Sequence, residues 1–258
     1  VLTRNQQEIA SRAGRGIEII KIADRDVARA EALTDGKVEV TDDIFSVVSD
    51  PNVDVVVELI GGYTLAKDLI LKAAENVMTQ HGLYGLSIEA IAEETELAKG
   101  TIYLYFKSKE EILSSLTIKA RNKLFAEFEL IEKQNDIAYE KLIQMIRMNY
   151  NFYKEFPLYY DLVSLYEANH KAVETEEMYK SSQNITNLVH RVAQEAQSEG
   201  FLNSSINTLH LTMSLWGMTV GMLQLLKVRG AFMEENLAVT EDELIETYIA
   251  IFSRGIKN

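Results

Sequence analysis

The sequence predicts a mainly all-α protein: a helix-turn-helix domain followed by a second helical domain, preceded by an incomplete α/β fragment. Three observations predict it. Strand-like runs such as IEIIKIA (17–23) and DVVVELI (54–60) are confined to the first 66 residues. From Lys67 onward apolar residues recur at helical spacing, as in Ile70, Ala73, Ala74, Val77 and Met78. Both prolines, Pro51 and Pro157, fall between predicted elements.

The 258 residues include 26 basic and 39 acidic side chains, a net charge of −13, and no cysteine. Disulfides and thiolate nucleophiles or metal ligands are therefore excluded. An acidic total argues against nucleic acid if taken whole, but the charge is uneven. Lys99–Lys123 holds six basic residues against Glu110 and Glu111, a local +4. Residues 1–30 mix apolar and charged side chains, so no secretory leader is expected among them. The first residue is Val rather than Met, and a missing or processed start is expected.

In the first 66 residues the expected order is a polar-faced helix at 2–13, a strand at Ile17–Ala23, a helix at Val27–Leu33 and a short strand at Val38–Val40. A short helix at Asp43–Val48 and a strand at Asp54–Ile60, ending in Gly61-Gly62, complete it. Strands alternating with helices suggest a parallel unit.

The next stretch carries the chemistry. Leu69–His81 reads as a helix closed by Gly82. Ser87 then caps IEAIAEE, whose acidic first turn suits a helix N-terminus. After a short turn, Lys99–Phe106 forms a second short helix, and KSKEE starts a long one. A short helix opening with Lys99, Gly100 and Thr101 can approach phosphates and base edges closely. Tyr103 and Tyr105 add hydroxyls, while Ile102 and Phe106 anchor it. A purely structural aromatic packing helix is the alternative for KGTIYLYF.

These residues, ILKAAENVMTQHG, Gly85-Leu86-Ser87, IEAIAEETELAKGTIYLYF and KSKEEIL, resemble the DNA-binding domain of the tetracycline-repressor (TetR) family of bacterial regulators. The resemblance implies DNA contacts at Ser87, Lys99, Gly100, Thr101, Tyr103, Tyr105 and Lys109. Two positions depart from the family: Ala98 replaces a common capping Ser or Thr, and Leu104 stands where a polar residue, often His, is common. The resemblance also implies a helical ligand-binding and dimerisation domain. The expected division is 1–66, 67–113 and 114–258.

In that last region, helices are expected at Leu113–Gln134, Ala138–Phe156, Leu158–Ala168, Met178–Glu199, Ser205–Val228 and Glu241–Arg254. Phe128, Tyr150, Phe152, Tyr153, Tyr159, Tyr160, Tyr166, Met213, Trp216 and Met222 are core filler or, for some, the lining of a cavity for a small hydrophobic ligand. Ile206–Leu226 is uncharged over 21 residues and contains Gly217 and Gly221 in a GxxxG pattern. A membrane span fits length and pattern, but Asn207, His210, Gln224 and several hydroxyls favour a dimer-interface helix. His170 and Glu174 lie one turn apart, with no second His at ligand spacing. No nucleophile–base pair appears, so no catalytic residue, cofactor or metal is expected.

Residues 1–75 resemble the nucleotide-binding domain of homoserine dehydrogenase, through VLTRNQQEIASRAGRGIEIIKIADRD, VTDD and NVDVVVELIGGYTLAKDLILKA. The resemblance places Asp24 at the ribose-binding end of a strand. The sequence has no GxGxxG loop, the element that cradles a pyrophosphate, and no substrate domain follows. Neither dehydrogenase activity nor tight NAD(P) binding is expected; tight binding of NADPH would contradict this. ILKAAEN suits both families, so a recombination, an assembly error or a deliberate fusion at that stretch is expected to explain the chain. The assembled expectation is a cytoplasmic, ligand-responsive repressor, homodimeric on a palindromic DNA operator, with an inactive dehydrogenase fragment as the alternative.

Overall fold

The computed structural model describes residues 10–11, 14, 16–34, 36–57, 63–168 and 175–257. It divides into two compact units, Val1–Lys107 and Ser108–Asn258.

In the first unit, β1 (Lys21–Ala23) and β2 (Glu39–Thr41) pair in parallel, with Ile22 opposite Val40. Helix α1 (Val27–Thr34) connects them, and α2 (Ile44–Val48) follows, capped by the Asp43 carboxylate accepting from Phe45 N–H at 2.9 Å. Lys21 Nζ reaches Glu39 at 2.8 Å and Asp50 at 3.2 Å, tying the end of α2 to the strands. Two expectations need correction. Ile17–Ile20 and Asp54–Val57 form no strand, so the ladder is three residues long. Among the described residues no third strand adjoins it, and Ile17, Ile19, Val55 and Val57 are exposed. A strand run without a partner cannot satisfy its backbone in a sheet. The expected helix at 2–13 and the Gly61-Gly62 turn lie largely or wholly outside the described residues.

Helix α3 (Tyr63–Gly85) is longer than expected, but Gly82 leaves helical geometry at φ +72°, as a C-terminal glycine does. Helices α4 (Ile88–Thr95) and α5 (Lys99–Tyr105) complete the trihelical part. Ile70, Ala74 and Met78 of α3, Ile91 of α4 and Ile102 of α5 are all buried.

Among the described residues, the regular structure of the second unit is helical apart from a bridge between Leu202 and Lys257. It comprises α6 (Lys109–Glu132), α7 (Ala138–Glu155), α8 (Pro157–Ala168), α9 (Glu176–Ser198), α10 (Thr208–Leu237) and α11 (Glu241–Ile256). Sequence signals set these ends. Ser108, Thr175, Asn207 and Thr240 each accept a bond from a first-turn N–H of the helix that follows. The Glu243 carboxylate in turn accepts from the Thr240 N–H at 3.0 Å, forming a capping box. Pro157 opens α8, where its missing N–H costs nothing. The core joins Phe128, Leu142, Ile146, Leu188, Val192, Leu215, Leu223 and Phe252 from five helices.

Polar ties fix helix against helix. Arg147 forks onto Glu246, its Nη2 donating to Oε2 at 2.8 Å, and Arg191 holds Glu132 at 2.9 Å. The Tyr150 hydroxyl donates to Asp242 Oδ1 at 2.6 Å, joining α7 to α11. Burial and the Asp242 carboxylate both push the Tyr150 phenol well above its ordinary range. Conversely, the Tyr150 hydroxyl, with help from Lys154, holds Asp242 below the usual carboxylate range. A carboxyl whose pKa is lowered on folding stabilises the fold above its unfolded value and loses that contribution as pH falls through the folded one. The advantage of the wild type over Tyr150→Phe is therefore expected in full above about pH 4. It should shrink at more acid pH, as read from urea midpoints of the two proteins at pH 7 and pH 3. An unchanged difference between the two pH values would separate Tyr150 from Asp242.

Candidate nucleic-acid interface and effector cavity

Helix α4 begins where Ser87 Oγ accepts from Ala90 N–H at 3.0 Å, so this hydroxyl works as a cap and keeps its own proton for a further acceptor. Asn76 Nδ2 of α3 donates to Glu94 Oε1 at 2.9 Å and locks α4 onto its neighbour. The turn into α5 passes through Glu96 in the left-handed region (φ +54°), a conformation that non-glycine residues adopt at a cost.

Ala98 precedes α5 and supplies no side-chain cap. The N–H groups of Lys99 and Gly100 thus lie ahead of the first intrahelical bond, made by Thr101 N to Ala98 O at 2.8 Å. Ile102 and Phe106 are buried, 0% and 1% exposed, and fix the rotation of the helix. Lys99, Gly100 and Tyr103 are exposed, while Thr101 and Tyr105 are partly so. A Cβ added at Gly100 would meet nothing within 4 Å. Six of the seven residues expected at this site, Ser87, Lys99, Gly100, Thr101, Tyr103 and Tyr105, therefore lie on α5 or at the start of α4. Lys109 belongs to the second unit, in the first turn of α6, half-buried.

The electrostatics differ from the linear count. Of the six basic residues, Lys99 and Lys107 belong to the first unit and Lys109, Lys119, Arg121 and Lys123 to the second. Arg121 is buried and donates to Met178 O at 3.1 Å, and Lys123 Nζ lies over the Phe156 ring. Lys99 Nζ is 2.6 Å from Glu89 Oε1, both side chains more than half exposed. This hydrogen bond from Lys99 is the main reason the Glu89 carboxyl lies below its ordinary range. A window count over 99–123 could not see Glu89, ten residues upstream.

Within the second unit, α6 to α10 enclose a mostly apolar cavity of about 170 Å³. Of the aromatic and methionine residues singled out above, Phe128, Phe152, Tyr160, Met213 and Trp216 line it; Tyr150, Tyr153, Tyr159 and Met222 do not. The side chain of Tyr166, like His170 and Glu174, lies outside the described residues. Arg121 brings a buried cation to the lining, a feature that apolar periodicity cannot reveal. No cluster suited to a metal occurs among the described residues.

Helix α10 has two faces. Leu211, Leu215, Leu223 and Leu226 enter the core, while Met218, Leu225, Val228 and Phe232 are exposed. Added Cβ atoms at Gly217 and Gly221 would also meet open space. Among the described residues, α10 is the one helix long and apolar enough to cross a membrane; a third of its most apolar window is buried within the unit.

Comparison with known proteins agrees with this geometry. Residues 70–116 match the family described as bacterial regulatory proteins, tetR family. The chain is 35% identical over 82 residues to the fatty acid metabolism regulator protein of Bacillus subtilis, covering 32% of this chain and 42% of that one. It is also 63% identical over 76 residues to homoserine dehydrogenase of Methylobacillus glycogenes, covering 30% of this chain but only 18% of the enzyme. In fold it is similar to the transcriptional regulator FadR from Bacillus subtilis, solved in complex with stearoyl-CoA. That likeness has a TM-score of 0.61 at 20% identity, over 73% of this chain and 98% of FadR. Residues 70–116 are thus a domain of the tetR family of bacterial regulatory proteins, carried in a chain whose N-terminal segment is similar to part of homoserine dehydrogenase.

Proposed function

We propose that residues 67–258 act as a ligand-responsive transcriptional regulator, a repressor that binds a palindromic operator as a homodimer in the cytoplasm. The outward face of α5, in a helix-turn-helix that matches the tetR family, is the observation that carries this reading. Residues 67–113 would read DNA, and 114–258 would bind ligand and dimerise through the exposed faces of α10 and α11. In such a dimer α5 of each copy enters a major groove one helical turn from the other. Ser87, Lys99, Tyr103, Tyr105 and Lys109 would contact phosphates; Gly100 and Thr101 would let the backbone of α5 come close to the duplex.

The effector would be small and hydrophobic. A cavity of about 170 Å³ is close to the size that holds benzene in an engineered protein core. A long acyl chain such as that bound by FadR would require the cavity to open further. Ligand binding would change the spacing of the two readers by favouring one arrangement of the dimer over another. The segment 1–66, lacking a glycine-rich phosphate loop, would contribute no nicotinamide chemistry.

Selection of bound duplexes from a random pool, with the full chain, tests the reading. Recovered duplexes should bind with a strong salt dependence. Combining Lys99→Ala with Tyr103→Phe should weaken binding and lower the log–log salt slope by about 2, one lost ionic contact per half-site. Unchanged affinity and slope would sink the proposed reading mode. A second outcome tests the electrostatics: Glu89→Gln frees Lys99 from its exposed ion pair and removes a charge that repels phosphate. Binding at low salt should tighten by up to about fivefold, the range of exposed pairs. Weaker or equal binding, measured by fluorescence anisotropy, would show that Glu89 does not compete with DNA for Lys99.

A further inference from the structure

The geometry points to Leu104 as a base-reading residue, one that recognises the 5-methyl group of a thymine in the operator. This rests on the reading that α5 enters the major groove and goes beyond it by assigning one position of the sequence. A helix turns about 100° per residue. With Ile102 buried and directed inward, Gly100 and Leu104 both lie about 160° around the axis from it, flanking the outermost line of α5. Gly100 has no side chain and only open space where a Cβ would be. Leu104 is 72% exposed, the most exposed apolar residue of the helix. Removing bulk at position 100 leaves Leu104 as the foremost side chain along that line.

A leucine has no donor or acceptor, so it cannot read a base edge by hydrogen bonding. The thymine C5-methyl is the apolar feature that a major groove presents, and apolar side chains contact it. Polar groups flank Leu104 on both sides of the helix. Tyr103, 52% exposed, and Lys99, held by Glu89, share one side; Thr101 and Tyr105 share the other. These groups suit the phosphates that border a groove, and Leu104 suits its floor.

The test uses the full chain and duplexes recovered from a random pool. Each conserved thymine of the recovered sequence is replaced in turn by deoxyuridine, which removes one methyl group and keeps every hydrogen-bonding atom. At one thymine per half-site the replacement should weaken wild-type binding about fourfold. In Leu104→Ala the same replacement should have no effect. Leu104→Gln, a second variant, should shift selection at that position toward adenine. Salt-dependent binding that is indifferent to deoxyuridine at every position would overturn the assignment and leave the groove-binding reading intact. A deoxyuridine effect of equal size in Leu104→Ala would do the same. Failure to recover any duplex would overturn both.

Discussion

Ile102 and Phe106 are one turn apart, both buried, and they determine what a seven-residue helix can present. So short a helix has almost no stability of its own. Its rotation about its axis is set by these two side chains, and every outward residue follows from that rotation. Were the apolar pair shifted by one position, Leu104 would rotate toward the flank and Tyr103 or Tyr105 would take the outermost line. Site chemistry and core packing are therefore one constraint in α5. The same holds upstream, where Ser87 both ends the approach to α4 and satisfies its first turn.

The second unit divides its labour across one helix. Helix α10 gives one face to the core and leaves another apolar face exposed, and it reaches the cavity through Met213, Trp216 and Thr219. Met213 and Trp216 are about half exposed while lining the cavity. Anything that covers the exposed face of α10 would thus also touch the wall of the cavity. In the proposed dimer, the occupant of the cavity and the contact between copies would share side chains, so that each could bias the other by differential affinity.

Much of this was legible in the sequence because it rests on local rules. Ser87, Ser108, Thr175 and Thr240 precede helices as capping residues do, and Gly82 and Gly200 end or break them at positive φ. What escaped depends on contacts distant in sequence. Strand runs at 17–20 and 54–57 have the right composition, yet a strand exists only where another pairs with it, and no composition rule supplies that partner. Which aromatic residues line the cavity depends on how five helices converge. The charge of Lys99 is offset by Glu89 across a turn between two helices, and Arg121 is drawn inward to a backbone carbonyl.

That last difference alters how the surface charge should be weighed. A run of basic residues is a DNA-binding signal only when its cations share a face. Here Arg121 is withdrawn to the interior and Lys123 lies against Phe156, while Lys99 is shared with an acid. On the proposed reading, Lys99 can neutralise a phosphate only by giving up its bond to Glu89, and Arg121 adds nothing to the electrostatic affinity, which scales with the number of phosphates neutralised. Phosphate contacts carry affinity but no sequence information, so base edges and shape would distinguish the site. An apolar side chain at the front of α5 suits that task, since a methyl contact releases no counterions and so adds affinity for one base without adding to the salt slope.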